Sequence, residues 1–266
     1  MTLRTKNRLS MRSIGGCIAV LLVFAGSGFA GDTGAAKDGH KAHWSYEGDT
    51  GPEKWGDLSP ESAVCKTGMQ QSPVDIKEAK TAAKKNAYKI NYKAVPLKII
   101  NNGHTIQVNY APGSTIVING KTYQLLQFHL HHPSEHTVAG KDYPMELHLV
   151  HKNDKGELAV LGVFMKEGKE NATIKTIWDN LPDKVNEEKS AAAVKINATA
   201  LLPKMNSLYV YSGSLTTPPC SEGVSWNVVS TPIEVSKAQI DKFISVVGKN
   251  ARPVQPINDR QLQESK

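Results

Sequence analysis

The chain has 266 residues, 39% of them hydrophobic and 21% charged, with a formal net charge of +7 and three cysteines. The first thirty residues carry four basic side chains and no acidic one, which leaves the remainder near +3. That balance argues against a strongly basic nucleic-acid binder, and no segment after the first thirty is apolar enough to span a membrane.

Residues 1–30 read as an export signal. Arg4, Lys6, Arg8 and Arg12 form a basic start, an apolar core runs from Ile18 to Phe24, and Gly26-Ser27-Gly28-Phe29-Ala30 supplies a small-residue cleavage site. The apolar run is short of the ~20 residues a span requires, so no membrane span should remain after cleavage. A periplasmic or secreted location follows. Residues 31–42 are small and polar and read as a flexible lead-in. Residues 43–266 contain no linker, repeat or low-complexity block and read as one domain. Cleavage removes Cys17 and leaves Cys65 and Cys220. In an oxidising compartment an even pair favours one disulfide, with two free buried thiols as the alternative. Lys77, Lys80, Lys84, Lys85 and Lys89 cluster without an aromatic or arginine-rich pattern, so they read as a solvated face, with no nucleic acid as partner.

Strand signals dominate the middle of the chain. Leu97–Ile100 and His104–Val108 flank Asn102-Gly103, and Thr115–Ile118 and Thr122–Leu126 flank Asn119-Gly120. Asn-Gly between alternating runs predicts a tight hairpin, because both central residues of a type I′ turn need positive φ. Met145–His151 and Leu158–Met165 read as two more strands around the polar turn Asn153–Gly156. Helical spacing relates Ile174, Ile177, Trp178 and Leu181, and again Ile240, Phe243, Ile244 and Val247. The second run opens with a Ser236–Gln239 capping box and stops at Gly248. The expected fold is mainly β (α+β): a single domain with a large, mostly antiparallel twisted sheet and a few short peripheral helices.

Six of the nine histidines lie between residues 129 and 151. In Gln127-Phe128-His129-Leu130-His131, alternation puts both histidines on one face and Phe128 and Leu130 on the other. His148, in Glu146-Leu147-His148, can add a third imidazole from a neighbouring strand. Three neutral imidazoles on a rigid sheet leave one corner of a zinc tetrahedron open, which is the catalytic pattern, whereas structural zinc closes its shell. Gln127 and Glu146 each stand two residues before a candidate ligand and can orient it by accepting its second N–H. An isolated His-x-His is a weak signal; the third histidine and the nearby carboxylates Glu135 and Glu146 make this one specific.

These residues resemble the α-class carbonic anhydrases, in a bacterial, exported form. The likeness runs from His43 to about Gln261. It is carried by His43-Trp44-Ser45-Tyr46, Gln71-Ser72-Pro73-Val74-Asp75-Ile76, Asn101-Asn102-Gly103-His104, the histidine strands, Ser134-Glu135-His136-Thr137, Gly213-Ser214-Leu215-Thr216-Thr217-Pro218-Pro219, Ser225-Trp226 and Asn250-Ala251-Arg252-Pro253. The resemblance implies reversible hydration of carbon dioxide to bicarbonate and a proton. It would proceed through zinc-bound hydroxide on His129, His131 and His148, and carbonic anhydrases are themselves the type case of that chemistry. It further implies that Thr216 and Glu135 orient the hydroxide and that His104 carries the proton away. Tyr46 and Asn102 would line the water path. Val150, Val160, Leu215 and Trp226 would form an apolar wall for the substrate, with Thr217 at the mouth, and Asn250 would hold His131 through its carbonyl. Anion and sulfonamide-type inhibitors are expected partners, and a homodimer is compatible with the family. His132, His136 and His151 read as structural. His132 and Gln107 depart from the animal members, which bears on inhibitor preference and rim shape rather than on the reaction. Two alternatives stand beside the enzyme: a catalytically inactive binding module of the same fold, and a periplasmic zinc-binding protein.

Overall fold

The computed structural model describes residues 43–82 and 87–266. The predicted export signal, the lead-in, Lys84 and Lys85 lie outside the described residues. Lys41–Lys266 form one compact unit, and among the described residues no helix is long and apolar enough to cross a membrane.

A mixed, mainly antiparallel sheet of twelve strands organises the chain. Its principal strands are β1 (Val95–Asn101), β2 (Ile106–Asn109), β3 (Lys121–His131), β4 (Met145–Lys152), β5 (Leu158–Glu167), β6 (Glu188–Ile196), β7 (Leu208–Ser214) and β8 (Glu222–Val235). They lie in the order β6-β1-β2-β3-β4-β5-β8-β7, and the short strands Gln263–Ser265 and Lys80–Thr81 extend the β7 edge. Helices α1 (Ala172–Trp178) and α2 (Lys237–Val247) are peripheral. The predicted capping box at Ser236 and Gln239 is formed, and Gly248 ends α2 at φ 80°. Helix α1 stops at Trp178, so Leu181 falls beyond it.

One pairing and one turn went beyond what alternation could predict. Strands β5 and β8 run parallel, a long-range choice that no local pattern encodes. The two Asn-Gly pairs also fold differently. Asn119 and Gly120 both take positive φ, 50° and 83°, and close the tight hairpin onto β3. At Asn102-Gly103 only Gly103 does so. There Asn101 Oδ1 accepts from Gly103 N, and Asn102 Oδ1 accepts from His104 N and Thr105 N. β1 and β2 still pair antiparallel as the expected hairpin, but these side-chain acceptors close it with a wider Asx-type turn over residues 102–105. His104 therefore sits in the turn, not at the start of a strand as expected.

The register of β3 on β4 decides the site. His129 pairs with His148 and His131 with Glu146, so all four side chains share one face. On the opposite face Phe128, Leu130, Leu147 and Leu149 are fully buried in the larger core. Burying each large apolar side chain contributes about 1.5–3 kcal/mol. A one-residue slip of β3 would turn His129 and His131 into the core in place of Phe128 and Leu130, so the core enforces the register.

Candidate metal centre

The three histidines converge with their ligating nitrogens within 4.8 Å of one another. Each has its other nitrogen occupied. His129 Nδ1 lies 2.9 Å from Gln127 Oε1, His131 Nδ1 lies 2.7 Å from the carbonyl oxygen of Asn250, and His148 Nε2 lies 2.9 Å from Glu146 Oε1. All three partners are acceptors, so those nitrogens carry the protons. The lone pairs on His129 Nε2, His131 Nε2 and His148 Nδ1 are left to face one another. His131 Nε2 is buried with no hydrogen-bond partner. An unpartnered buried polar atom is costly unless something binds it, and a cation among three imidazoles is the fit this donor set supports. Burial, with His131 and His148 alongside, holds His129 well below the usual histidine range, and burial also lowers His131. Both shifts favour the neutral form a metal ligand needs.

Glu146 is the hub beneath the three histidines. Its Oε1 accepts from His148 and from His136 Nδ1 (2.8 Å), and its Oε2 accepts the backbone N–H groups of Glu135 and His136 at 3.0 and 2.9 Å. Burial alone would raise this carboxyl, but His136 and His148 together hold it well below the carboxylate range. Room for it comes from Gly162, paired with His148 on β5, where an added Cβ would stand 2.9 Å from Glu146 Oε1. The chain of contacts continues outward. His136 Nε2 meets the Tyr211 hydroxyl at 2.7 Å, and Tyr211 donates to Ser72 Oγ at 2.9 Å.

Glu135 borders the metal-facing space. Its Oε1 accepts from the backbone N–H of Arg252 at 2.9 Å. Its Oε2 has no partner and stands 3.6 Å from His131 Nε2 and 3.8 Å from His148 Nδ1. The hydrogen bond expected between Thr216 and Glu135 is therefore not formed here, although Thr216 is buried. Arg252 anchors this corner: its guanidinium donates to Gln71 Oε1, to Ser72 O and to Cys65 O at 2.8–2.9 Å. Cys65 is disulfide-bonded to Cys220. The bridge thus ties the segment around Trp55 to the loop that carries Leu215, Thr216 and Thr217.

With this geometry in place, comparison with known proteins is decisive. Residues 50–266 match the family described as eukaryotic-type carbonic anhydrase. The chain belongs to the carbonic anhydrase family. It is 48% identical over 227 residues to a carbonic anhydrase of Nostoc, covering 84% of this chain and 86% of that one. Among solved structures it is similar to a hyperthermostable carbonic anhydrase from a hydrothermal vent chimney. That match has TM-score 0.81 and 52% identity and covers 84% of this chain and 100% of the other. It is likewise similar to the α-carbonic anhydrase of Thermovibrio ammonificans, solved with the inhibitor sulfanilamide. There the TM-score is 0.80 and the identity 46%, over 84% of this chain and 99% of that one.

In this carbonic anhydrase fold the remaining predicted residues fall into two groups. Val160 and Trp226 are buried in the smaller core, and Val150 and Leu215 are half-buried against it. Trp226 donates to Ser214 O at 2.9 Å, and its ring meets that of His148 edge-on, with centroids 4.8 Å apart. Thr217 is half-buried on the same loop. The second group is aromatic. His104 is half-buried and stacks on Trp44, with ring centroids 3.7 Å apart, and the His43 ring lies 6.4 Å away. Tyr46 packs edge-on against Trp44 and Trp55. Burial, then the charge of Glu135, raises Tyr46 well above the usual phenol range.

Of the histidines read as structural, His132 bonds Pro144 O through Nδ1 at 2.8 Å, and His151 is buried against the Tyr92 hydroxyl at 2.6 Å. His136 is different, because it shares Glu146 Oε1 with His148 of the three-histidine cluster. Sequence reasoning also missed the parts played by Arg252, Gly162, Tyr211 and Ser72. One signal was available: a glycine inside the apolar run Ala159-Val160-Leu161-Gly162 marks a close approach.

Proposed function

We propose that this protein catalyses the reversible hydration of carbon dioxide to bicarbonate and a proton, with zinc held by His129 Nε2, His131 Nε2 and His148 Nδ1. The convergence of those three nitrogens, each left free by a proton-accepting partner on the other side of its ring, carries the proposal. Zinc bound there would lower the pKa of a coordinated water toward neutrality and so supply a nucleophile, chemistry for which carbonic anhydrases are the type case.

The side chains around the site supply the rest. Glu135 Oε2 is the acceptor available to the Thr216 hydroxyl. A Thr216 that donates there has only lone pairs left for the attacking oxygen, so it orients that oxygen and disfavours ligands with no proton to give. Val150, Val160, Leu215 and Trp226 offer apolar contact to a linear, apolar substrate, and Thr217 borders its entrance. The proton released must leave through a group that titrates near neutrality, and His104 has the chemistry and the partial exposure for it, with Tyr46 and Asn102 lining the path. Burial and the neighbouring His43 pull His104 below its ordinary value, which favours proton release to water.

The sulfanilamide complex of the Thermovibrio relative supports binding of sulfonamide-type inhibitors, and the open position of a metal held by three neutral imidazoles would also accept anions. The signal-like residues 1–30, the lead-in 31–42 and the disulfide within the 43–266 domain support export to the periplasm or beyond. Stopped-flow hydration before and after chelation tests the function. Fast hydration that disappears with the metal and returns with about one zinc per chain is the expected result. A folded, zinc-loaded chain that does not hydrate carbon dioxide would leave the binding module as the reading.

A further inference from the structure

The turn that carries His104 is closed upon itself. The N–H groups of Gly103, His104 and Thr105 are all taken by the side chains of Asn101 and Asn102. Such a unit moves as a body unless something outside it holds it. Two side chains tie it to the metal-bearing strand, and both meet at Leu130, the residue between His129 and His131. Thr105 Oγ1 donates to Leu130 O and also accepts from Leu130 N at 3.3 Å. Asn250 Nδ2 donates to His104 O at 3.0 Å and to Leu130 O at 2.9 Å.

Asn250 does more than bridge the turn. It is 1% exposed, and every polar atom it has is used. Its Oδ1 accepts from His132 N at 2.7 Å, its own N–H donates to His132 O at 2.9 Å, and its carbonyl takes the proton of His131 Nδ1. One residue thus holds a metal-facing imidazole by its backbone and the His104 turn by its side chain. Those functions belong to different atoms, so they can be separated by substitution.

We propose that the Asn250 carboxamide, with the Thr105 hydroxyl as its second pin, is a positioning clamp that holds the His104 turn in register with the metal ligands. By doing so it sets the rate of proton removal. The clamp rests on the reading of His104 as the proton carrier. Proton transfer over intervening water depends steeply on where its acceptor stands, and a displacement near 1 Å can cost on the order of a hundredfold in rate.

Thr105→Val keeps the volume and removes the hydroxyl. Asn250→Asp keeps the oxygen that accepts from His132 but sets a second oxygen against two carbonyls. Each is studied as the full, zinc-loaded chain beside His104→Ala, by stopped flow in weak buffer and with added imidazole. The chain's zinc affinity and the pH titration of the His104 ring by NMR are followed in parallel. For Thr105→Val we expect kcat in weak buffer to fall on the order of tenfold, with kcat/KM and zinc affinity unchanged and imidazole restoring kcat. For Asn250→Asp, kcat in weak buffer falls more than kcat/KM does. In both, the His104 ring resonances move as its stack on Trp44 loosens.

Unchanged kcat in weak buffer with unmoved His104 resonances overturns the clamp, as does a loss that imidazole does not repair. Should Asn250→Asp fail to fold, Thr105→Val decides. If His104→Ala itself shows no buffer-dependent loss while hydration persists, the carrier reading fails and the clamp with it. If His104→Ala shows that loss and the clamp variants do not, the clamp alone fails.

Discussion

The three convergent histidines and His104 use the same side chain under opposite conditions. His131 and His148 are almost fully buried, and all three sit on paired strands with one nitrogen tied to a fixed acceptor. His104 is half-buried on an unpaired turn and held by a stack on Trp44. A ligand must stay neutral, keep one tautomer and not move, whereas a proton carrier must charge and discharge close to the working pH. Burial on a sheet suits the role proposed for His129 and His131, the Glu146 carboxylate raises His148 against it, and a half-buried turn suits the role proposed for His104. His151 marks a third condition, buried and tied outside the three-histidine cluster. There burial pushes the imidazole down to about 4.

Substitutions at these positions test whether the contrast is real. The largest effect is expected for His131→Ala, which removes one of the three nitrogens: bound zinc and hydration should be lost together, checked by metal analysis and stopped flow. Retained stoichiometric zinc would show that the site is elsewhere. His104→Ala should leave the zinc in place and slow turnover in weak buffer on the order of a hundredfold, with small imidazole buffers restoring it. If buffer makes no difference, the carrier is another group. Glu146→Gln tests the support beneath the ligands. Zinc affinity should fall about 10- to 100-fold in a chelator competition, because His148 loses a charged partner.

The smallest effect concerns stability alone. An unfolded histidine binds its proton near pH 6.5, whereas His151 in the fold does so only at about 4. The folded state therefore binds fewer protons in that window. The contribution of His151 is complete above about pH 6.5 and is lost as pH falls toward 4, by about 3 kcal/mol. Chemical denaturation of the zinc-free chain across that range should show the slope, and His151→Gln should flatten it. An unaltered slope in the variant would assign it to other groups.

Much of the site was legible because strand alternation is a local rule. The spacing of His129 and His131, with Phe128 and Leu130 between them, already put two imidazoles on one face and two apolar side chains on the other. Gln127 and Glu146 obeyed the same spacing and stand where that rule puts them. The two remaining cysteines did pair. The hairpin at Asn102-Gly103 formed, but its turn type was misread, because a type I′ turn needs positive φ at Asn as well as at Gly. Here neighbouring side-chain acceptors won. Arg252 looked like part of a terminal motif, since nothing local reveals that it will reach Cys65, Gln71 and Ser72 across the fold.

By itself the amino-acid sequence determined the family, the strand-rich class and the three candidate ligands, because periodicity and short motifs are written along the chain. Only the tertiary structure decided which nitrogen of each imidazole faces inward, since that choice belongs to partners brought in from elsewhere. Asn250 reaches His131 from 119 positions away. It decided as well that Glu146 serves His136 and His148 together, that β5 and β8 run parallel, and that Glu135 leaves one carboxylate oxygen unpartnered. Each of these depends on contacts between residues far apart in sequence, where hydrogen-bond satisfaction and close packing choose among arrangements that local propensity leaves equal.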